Sequence, residues 1–513
     1  MLDNFSDSQV TRKRVVATRG GVVAAQHRRA AEVGARVLEA GGDAVDAAVA
    51  TSFAVGVVEP WMSGLAAGGV MIVWRAKEGR AYAVDYGMRS PRDLDPADYP
   101  VVGGKAQDLF AWPRVKDDRN VQGATAVAVP GVAAGMALAH ERFGTMPWRE
   151  LLAPAVALAR EGLLVDWYAG LVIASNARAL ARDPDAAALF LEEGRWPPQL
   201  NWTSANEKHL HQAVLGKSLE SISVEGAGVL YGGDVGRALV KDVRAKGGSL
   251  SIADLEAYRP HIVDALEVPY RGARVFAAPG MTGGPTLALA FKNLGEKEKP
   301  GYIDYARALD AAWRERFQTM GDKEGCTTHF SVVDRAGNLC SVTQTLLSVF
   351  GSRVVSPSTG IPLNNGIMWF DPEPGKPNSL APGKRCLGNY CPVVGETPKG
   401  ARFALGASGG RKILGTVLQM SSFMIDHGAS LEEAFHRPRI DMSGEGRVIA
   451  DRALPPDVIE HLGEFMTTTT ARRGIFPYAF AVPAGVMRDR EMNMGCTEIM
   501  SPWGDAVAEK ELQ

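Results

Sequence analysis

Five consecutive apolar residues, Val70 to Trp74, do most to limit what this chain can fold into. They lie in the stretch Gly69 to Arg75, and the turn Lys77-Glu78-Gly79 leads on to a second strand-like run, Arg80 to Tyr86. Side chains on a strand alternate between two faces, so a strand apolar on both must be covered on both. The sheet that holds it is therefore an interior layer. Helix-rich text on either side predicts a layered fold with helices outside and sheet within.

The text around this strand agrees. A strand over Gly21 to Gln26 is followed by a helix with apolar positions Ala30, Val33, Val37 and Leu38, which stops at Gly41–Gly42. Asp43 can cap the next helix, whose Ala- and Val-rich surface predicts a central position. Residues 130–258 read as mainly helical, and Ser251 with Asp254 forms a capping-box pattern. From Asn293 to Gly325 the text is charged and largely loop-like, with one helix inside it. A strand pair follows, Thr327 to Asp334 and Asn338 to Thr345, around Arg335-Ala336-Gly337.

The bulk numbers set outer limits. At 513 residues and 46% apolar, the chain exceeds one ordinary core, so two packed lobes or one oversized layered domain is expected. Net charge is -2 with both signs scattered, and no basic stripe points to nucleic acid. Met1 to Gly20 has no apolar run, so no secretory signal is expected there. Ala47 to Val58 is too short to span a bilayer, so no membrane contact is expected. Five widely spaced cysteines argue against a disulfide framework and for a reducing cytoplasm. His209-Leu210-His211 lacks helical ligand spacing, and no metal is expected.

The segment that can carry chemistry is Gly325-Cys-Thr-Thr-His-Phe-Ser-Val-Val-Asp334, a polar loop running into a strand that begins at a threonine. A threonine hydroxyl needs a base. If the Cys326–Thr327 bond is cut, the new α-amine of Thr327, with a pKa near ~8, can serve as that base. Taken alone, Thr-Thr at a strand start is ordinary β-propensity. More is carried by an ordered series of longer matches. It includes Ala40-Gly-Gly-Asp-Ala-Val-Asp-Ala-Ala-Val49, Gly56-Val-Val-Glu-Pro60, Val129-Pro-Gly-Val-Ala-Ala-Gly135 and Phe143-Gly-Thr-Met-Pro-Trp148. Pro154-Ala-Val-Ala-Leu-Ala159, Tyr270-Arg-Gly272, Thr327-Thr-His-Phe-Ser-Val-Val-Asp334, Gly360-Ile-Pro-Leu-Asn-Asn365 and Ser408-Gly-Gly410 complete it. Over nearly its whole length the chain resembles the γ-glutamyltransferase family of N-terminal-nucleophile hydrolases.

The resemblance implies an α+β fold, a four-layer αββα sandwich, and self-cleavage into a large subunit, 1–326, and a small one, 327–513. The two would pair with each other, and further into a dimer of such pairs. It implies no cofactor. Thr327 resembles the nucleophile, Thr345 the threonine that orients it, and Gly409 with Gly410 the oxyanion-hole pair. The physical reading of that pair agrees, because backbone N–H groups at the start of the following helix have no intrahelical acceptor and sit at its positive end. His329 could share the face of Thr327 but reads as structural, since the amine fills the role of base. Cys326 lies on the leaving side of the cut bond, and Cys386 and Cys391 read as small packing side chains.

The departures from the family gather in the glutamyl pocket. Gly87 stands at the place of the arginine that pairs with the substrate carboxylate, and Gly388 and Asn389 stand at the tandem serines. Leu347 and Trp369 replace the asparagine and aspartate at the glutamyl end, and Gly366 a glutamine. A lost arginine removes a bidentate clamp. A lost aspartate leaves an ammonium unpaired, at a cost of ~3–5 kcal/mol. Arg89, two residues past Gly87, and Arg411, just after the glycine pair, are candidates for a displaced clamp. The text Cys326-Thr-Thr-His329, Thr343-Gln-Thr-Leu-Leu347 and Asn365-Gly-Ile-Met-Trp-Phe370 resembles the oxamate amidohydrolase branch. The expected substrate is a small non-glutamyl amide. A γ-glutamyl transferase with a rebuilt pocket and a non-catalytic relative are the alternatives, and the retained Thr327, Thr345 and glycine pair argue against the second.

Overall fold

The computed structural model describes residues 10–105, 113–201, 208–295, 298–320, 326–444 and 446–510. Residues 321–325, just before the expected cleavage site, and the first nine residues lie outside them.

Fourteen strands make two sheets. The first part of the chain supplies β1 (Val16–Thr18), β2 (Val22–Ala25), β3 (Gly68–Arg75), β4 (Arg80–Tyr86), β5 (His261–Asp264), β6 (Leu266–Tyr270) and β7 (Ala273–Ala277). The rest are β8 (Cys326–Val333), β9 (Leu339–Leu347), β10 (Val393–Glu396), β11 (Arg402–Ser408), β12 (Val482–Asp489), β13 (Met492–Thr497) and β14 (Asp505–Ala508). One sheet runs β14-β2-β8-β9-β3-β4-β5 and the other β1-β13-β12-β11-β10-β7-β6. Each therefore interleaves strands from before and after residue 327.

Three apolar clusters separate the layers. One lies between the first sheet and the helices α1 (Arg28–Glu39), α2 (Ala44–Val58) and α3 (Val132–Phe143), joining Phe330 and Val332 of β8 to the α2 residues. A second joins the other sheet to α4 (Gly284–Leu294), α5 (Tyr302–Thr319) and α6 (Lys412–Ile425). The third fills the space between the sheets, with Val70, Ile72 and Trp74 of β3 among its members. The fold is an α+β, four-layer αββα sandwich. The doubly apolar β3 is covered on both faces as its sequence requires.

Helix α2 shows how a motif is made. Every one of its residues is buried. The Asp43 side chain accepts from the amides of Val45 and Asp46, and Asp46 returns a bond to the Asp43 amide. Asp46 is itself fully buried, and it also accepts from the amide and hydroxyl of Thr145 at 3.0 and 2.5 Å. The Asp43 and Phe143-Gly-Thr-Met motifs are thus two halves of one contact. The Ser251–Asp254 capping box forms as expected. The one helix expected within the charged segment 293–325 forms as the 18-residue α5. Arg307, Arg314 and Glu315 lie on its exposed side, Asp310 and Arg316 are buried, and Tyr305, Leu309, Ala312 and Trp313 face the core. No helix among the described residues is long and apolar enough to cross a membrane.

Candidate active site

Thr327 is the second residue of β8 and is 5% exposed. Across the ladder Cys326 faces Leu347 and Thr328 faces Gln344, so Thr327 alone stands against two residues, Thr345 and Leu346. Such a bulge frees one residue from regular pairing and re-aims its neighbours. Phe330 and Val332 face α2, and alternation puts Thr327, His329 and Ser331 on the face between the sheets. Thr345 is on that face too. It is fully buried, pairs with Gly68 of β3, and its hydroxyl accepts the Leu347 amide at 2.7 Å.

The other sheet contributes the glycine pair. β11 ends at Ser408, and Gly409 and Gly410 turn the chain at φ 128° and 63° into α6. A Cβ on Gly409 would lie 3.0 Å from the Ala481 backbone. Gln26, just past β2, bridges the two sheets by donating 2.7 Å bonds to the Ser408 hydroxyl and the Val482 carbonyl. The end of β2, the neighbour of β8, is thus joined to the residue before the glycine turn by a side chain.

His329 is structural. It is fully buried between the Thr343 and Ser331 hydroxyls, at 2.9 and 3.0 Å, and burial pushes its ring down to about 3, so it stays neutral. Cys386 and Cys391 are buried. Arg411 is the residue before α6, with its guanidinium over the Phe317 ring at 5.2 Å. Asn389 accepts from the buried Arg316 at 3.0 Å. Trp369 is 3% exposed and packs edge-on to Tyr390 at 5.4 Å. With Leu347, Met88 and Cys386 these two rings belong to the apolar cluster between the sheets.

Gly87 is where the structure adds most. β4 ends at Tyr86, and Arg89 pairs beyond it in isolated bridges with Val129 and Arg385. Arg89 lines a surface cavity with Ser90, Arg92, Tyr258 and Arg259, and none of Thr327, Thr345, Gly409 or Gly410 lines it. The space over Gly87 belongs instead to Arg385. A Cβ on Gly87 would stand 1.8 to 2.1 Å from the guanidinium atoms of Arg385. That guanidinium donates to Asp85 at 2.5 Å and to the Cys386 carbonyl at 2.6 Å. Burial alone would raise the Asp85 carboxyl, but Arg385 and the Gly87 amide outweigh it and hold it low. Carrying the register Gly69↔Tyr86 one step on puts Gly87 beside Gly68, which pairs with Thr345. Arg385 therefore sits over the same sheet face as Thr345, about 10 Å away at two strand spacings. Sequence reasoning missed it because a loop arginine carries no motif. The one trace was the glycine that makes room for it.

An αββα sandwich whose two sheets each interleave strands from both parts of the chain is the architecture of the N-terminal-nucleophile hydrolase class. The family model described as Gamma-glutamyltranspeptidase matches residues 30–325 and 302–498, and the chain belongs to that family of amide-hydrolysing enzymes. It is 34% identical to the Acylase ACY 1 proenzyme of Pseudomonas sp. (strain V22) over 493 residues, 86% of each chain. It is 29% identical to the Glutathione hydrolase proenzyme of Escherichia coli (strain K12), over 87% of this chain and 85% of that one. Among solved structures, cephalosporin acylase from Bacillus halodurans superposes with a TM-score of 0.85 over all of both chains, at 24% identity.

Proposed function

We propose that the protein cleaves itself before Thr327 and then hydrolyses a small, carboxylate-bearing, non-glutamyl amide through an acyl-Thr327 ester. The observation that carries this is the position of Thr327, at a bulge opposite Thr345 and two residues before His329, which lies against Gly406 on the strand leading to the glycine turn. The Thr327 hydroxyl attacks the amide carbonyl while the freed α-amine takes its proton. N–H groups at 409–410 hold the oxyanion, and Thr345 orients the nucleophile. The ammonium returns the proton to the departing nitrogen. Water, deprotonated by the same amine, then releases the acid.

Arg385 supports the choice of acid. A guanidinium can donate five hydrogen bonds, and among the described residues Arg385 makes two. Trp369, where the family has the aspartate that pairs the glutamyl ammonium, offers no counter-charge. A carboxylate without an α-ammonium fits such a pocket, and oxamate is the shortest such acid amide. The spacing of about 10 Å between Thr345 and Arg385 favours a second, longer reading, a glutaryl-type acyl amide.

Intact mass and parallel assays test this. Two fragments meeting at Thr327 are expected, with release of ammonia from oxamate or of nitroaniline from glutaryl-p-nitroanilide. Thr327→Ala should lose both cleavage and turnover. A chain that stays at 54.8 kDa on long incubation, or a preference for γ-glutamyl-p-nitroanilide, overturns the proposal.

A further inference from the structure

Behind the nucleophile lies a buried carboxylate that the mechanism above does not use. Glu59, at the C-terminal end of α2, is 4% exposed and makes no ion pair among the described residues. Its Oε2 lies 2.8 Å from the hydroxyl of Thr328, the residue after the nucleophile. The same hydroxyl lies 3.4 Å from Gln26 Oε1. The orientation of the Gln26 amide is fixed, because its nitrogen faces the Val482 carbonyl, which can only accept. Gln26 Oε1 therefore also needs a donor, and Thr328 has one hydroxyl proton to offer two acceptors. A proton on Glu59 resolves the conflict. Glu59 then donates to Thr328, Thr328 to Gln26, and Gln26 to Ser408, the residue before the glycine pair.

We propose that Glu59 is a positioning residue that carries a proton in the working enzyme and, through Thr328 and Gln26, holds the nucleophile strand in register with the glycine turn. The bulge gives the chain of bonds its purpose. Thr327 has no one-to-one ladder partner, and once its bond to Cys326 is cut the paired Thr328 and its side chain anchor the end of the strand. The surroundings of Glu59 agree. Burial pushes its carboxyl up to about 7. Tyr478 is the titratable group whose field meets it, and burial raises that hydroxyl to about 12, so it is neutral. His27, next to Gln26, is held neutral by its own burial, at about 3.

The inference rests on Thr327 as nucleophile, and its test has an arm that does not. In a Thr327→Ala background, melting is followed from pH 4.5 to 8.5 with and without Glu59→Gln. A carboxyl raised by folding loses stability relative to a neutral glutamine between its unfolded value near 4.5 and its folded value of about 7, then levels off. The glutamine variant should gain a few degrees on its parent across that window. A constant difference, or a glutamine variant that does not fold at pH 6, overturns the proposal. In the active protein at pH 6, Glu59→Gln should keep kcat within about threefold, whereas Glu59→Ala should lower it on the order of tenfold or more with KM little changed. If the glutamine variant turns over no better than the alanine one, an ionised Glu59 is required and the proposal fails. Loss of activity in every variant beside the expected melting curves would instead fault the assignment of Thr327.

Discussion

Gly87 shows how one missing side chain can define a site. Its lack of a Cβ is what lets the Arg385 guanidinium lie against the backbone and reach Asp85. Gly87→Ala should expel that group and break a largely buried pair, at a cost of about 3 kcal/mol. A urea melt measures this, and a rise in KM for the carboxylate substrate should accompany it. Unchanged stability would mean that the arginine has another seat. From sequence, Gly87 reads as a clamp lost. Thr327, Thr345, Gly409 and Gly410 are legible because each stands in a run of matching text, whereas Arg385 meets Gly87 only through the fold. Glu59 lies inside a matching run, Gly56 to Pro60, but its burial and its bond to Thr328 are three-dimensional facts. The same holds for Arg89, whose spacing from Gly87 implied a shared strand that ends too early.

Among the elements, those with strong local chemistry are the ones readable in advance. The Asp43 and Ser251 capping boxes, the turn at Lys77-Glu78-Gly79 and the strand pair after residue 326 all form where their residues place them. α5 is legible as a helix, but which of its charged residues are buried is not, because Asp310 and Arg316 lie inside only once the second core forms around them. On the proposed mechanism, turnover depends most directly on the connection from β11 to α6. Gly409→Ala would force a Cβ into φ 128° and against the Ala481 backbone. We expect kcat to fall on the order of a hundredfold with KM nearly unchanged, as for loss of an oxyanion donor. Equal losses in binding and turnover would place the glycines elsewhere in the reaction. Near the same sheet, Arg439 and Glu498 form a buried pair at 2.6 Å, with Arg473 at 3.7 Å. Burial would raise the Glu498 carboxyl, but the two arginines hold it below its usual value. Its stabilising contribution is therefore present at neutral pH and lost as pH falls through that lowered value. Glu498→Gln should cost about 3–5 kcal/mol at pH 7, and the gap in melting temperature should narrow in acid.

At the scale of the whole molecule, the interleaving of strands decides what a cut at residue 327 can do. β8 and β9 lie between β2 and β3 in one sheet, and β10 to β13 lie between β1 and β7 in the other. Fragments 1–326 and 327–513 should therefore elute together on gel filtration and melt in one transition. Separation in mild buffer would contradict the shared sheets. The layered architecture was legible from β3 alone, since its two apolar faces demand cover. The order of strands was not, because no local pattern encodes a partner hundreds of residues away.

That interleaving also sets a limit in time. Before the cut, pairing β8 with β2 is a search within one chain, and its entropic cost grows only slowly with loop length. After the cut, the same pairing is an encounter between two molecules and depends on their concentration. An enzyme matured in this way would assemble by a route it can no longer retrace, and its working lifetime would be set by how slowly it comes apart. Uncut Thr327→Ala protein should refold on dilution from urea at a rate independent of concentration. The matured pair should recover poorly and better when concentrated.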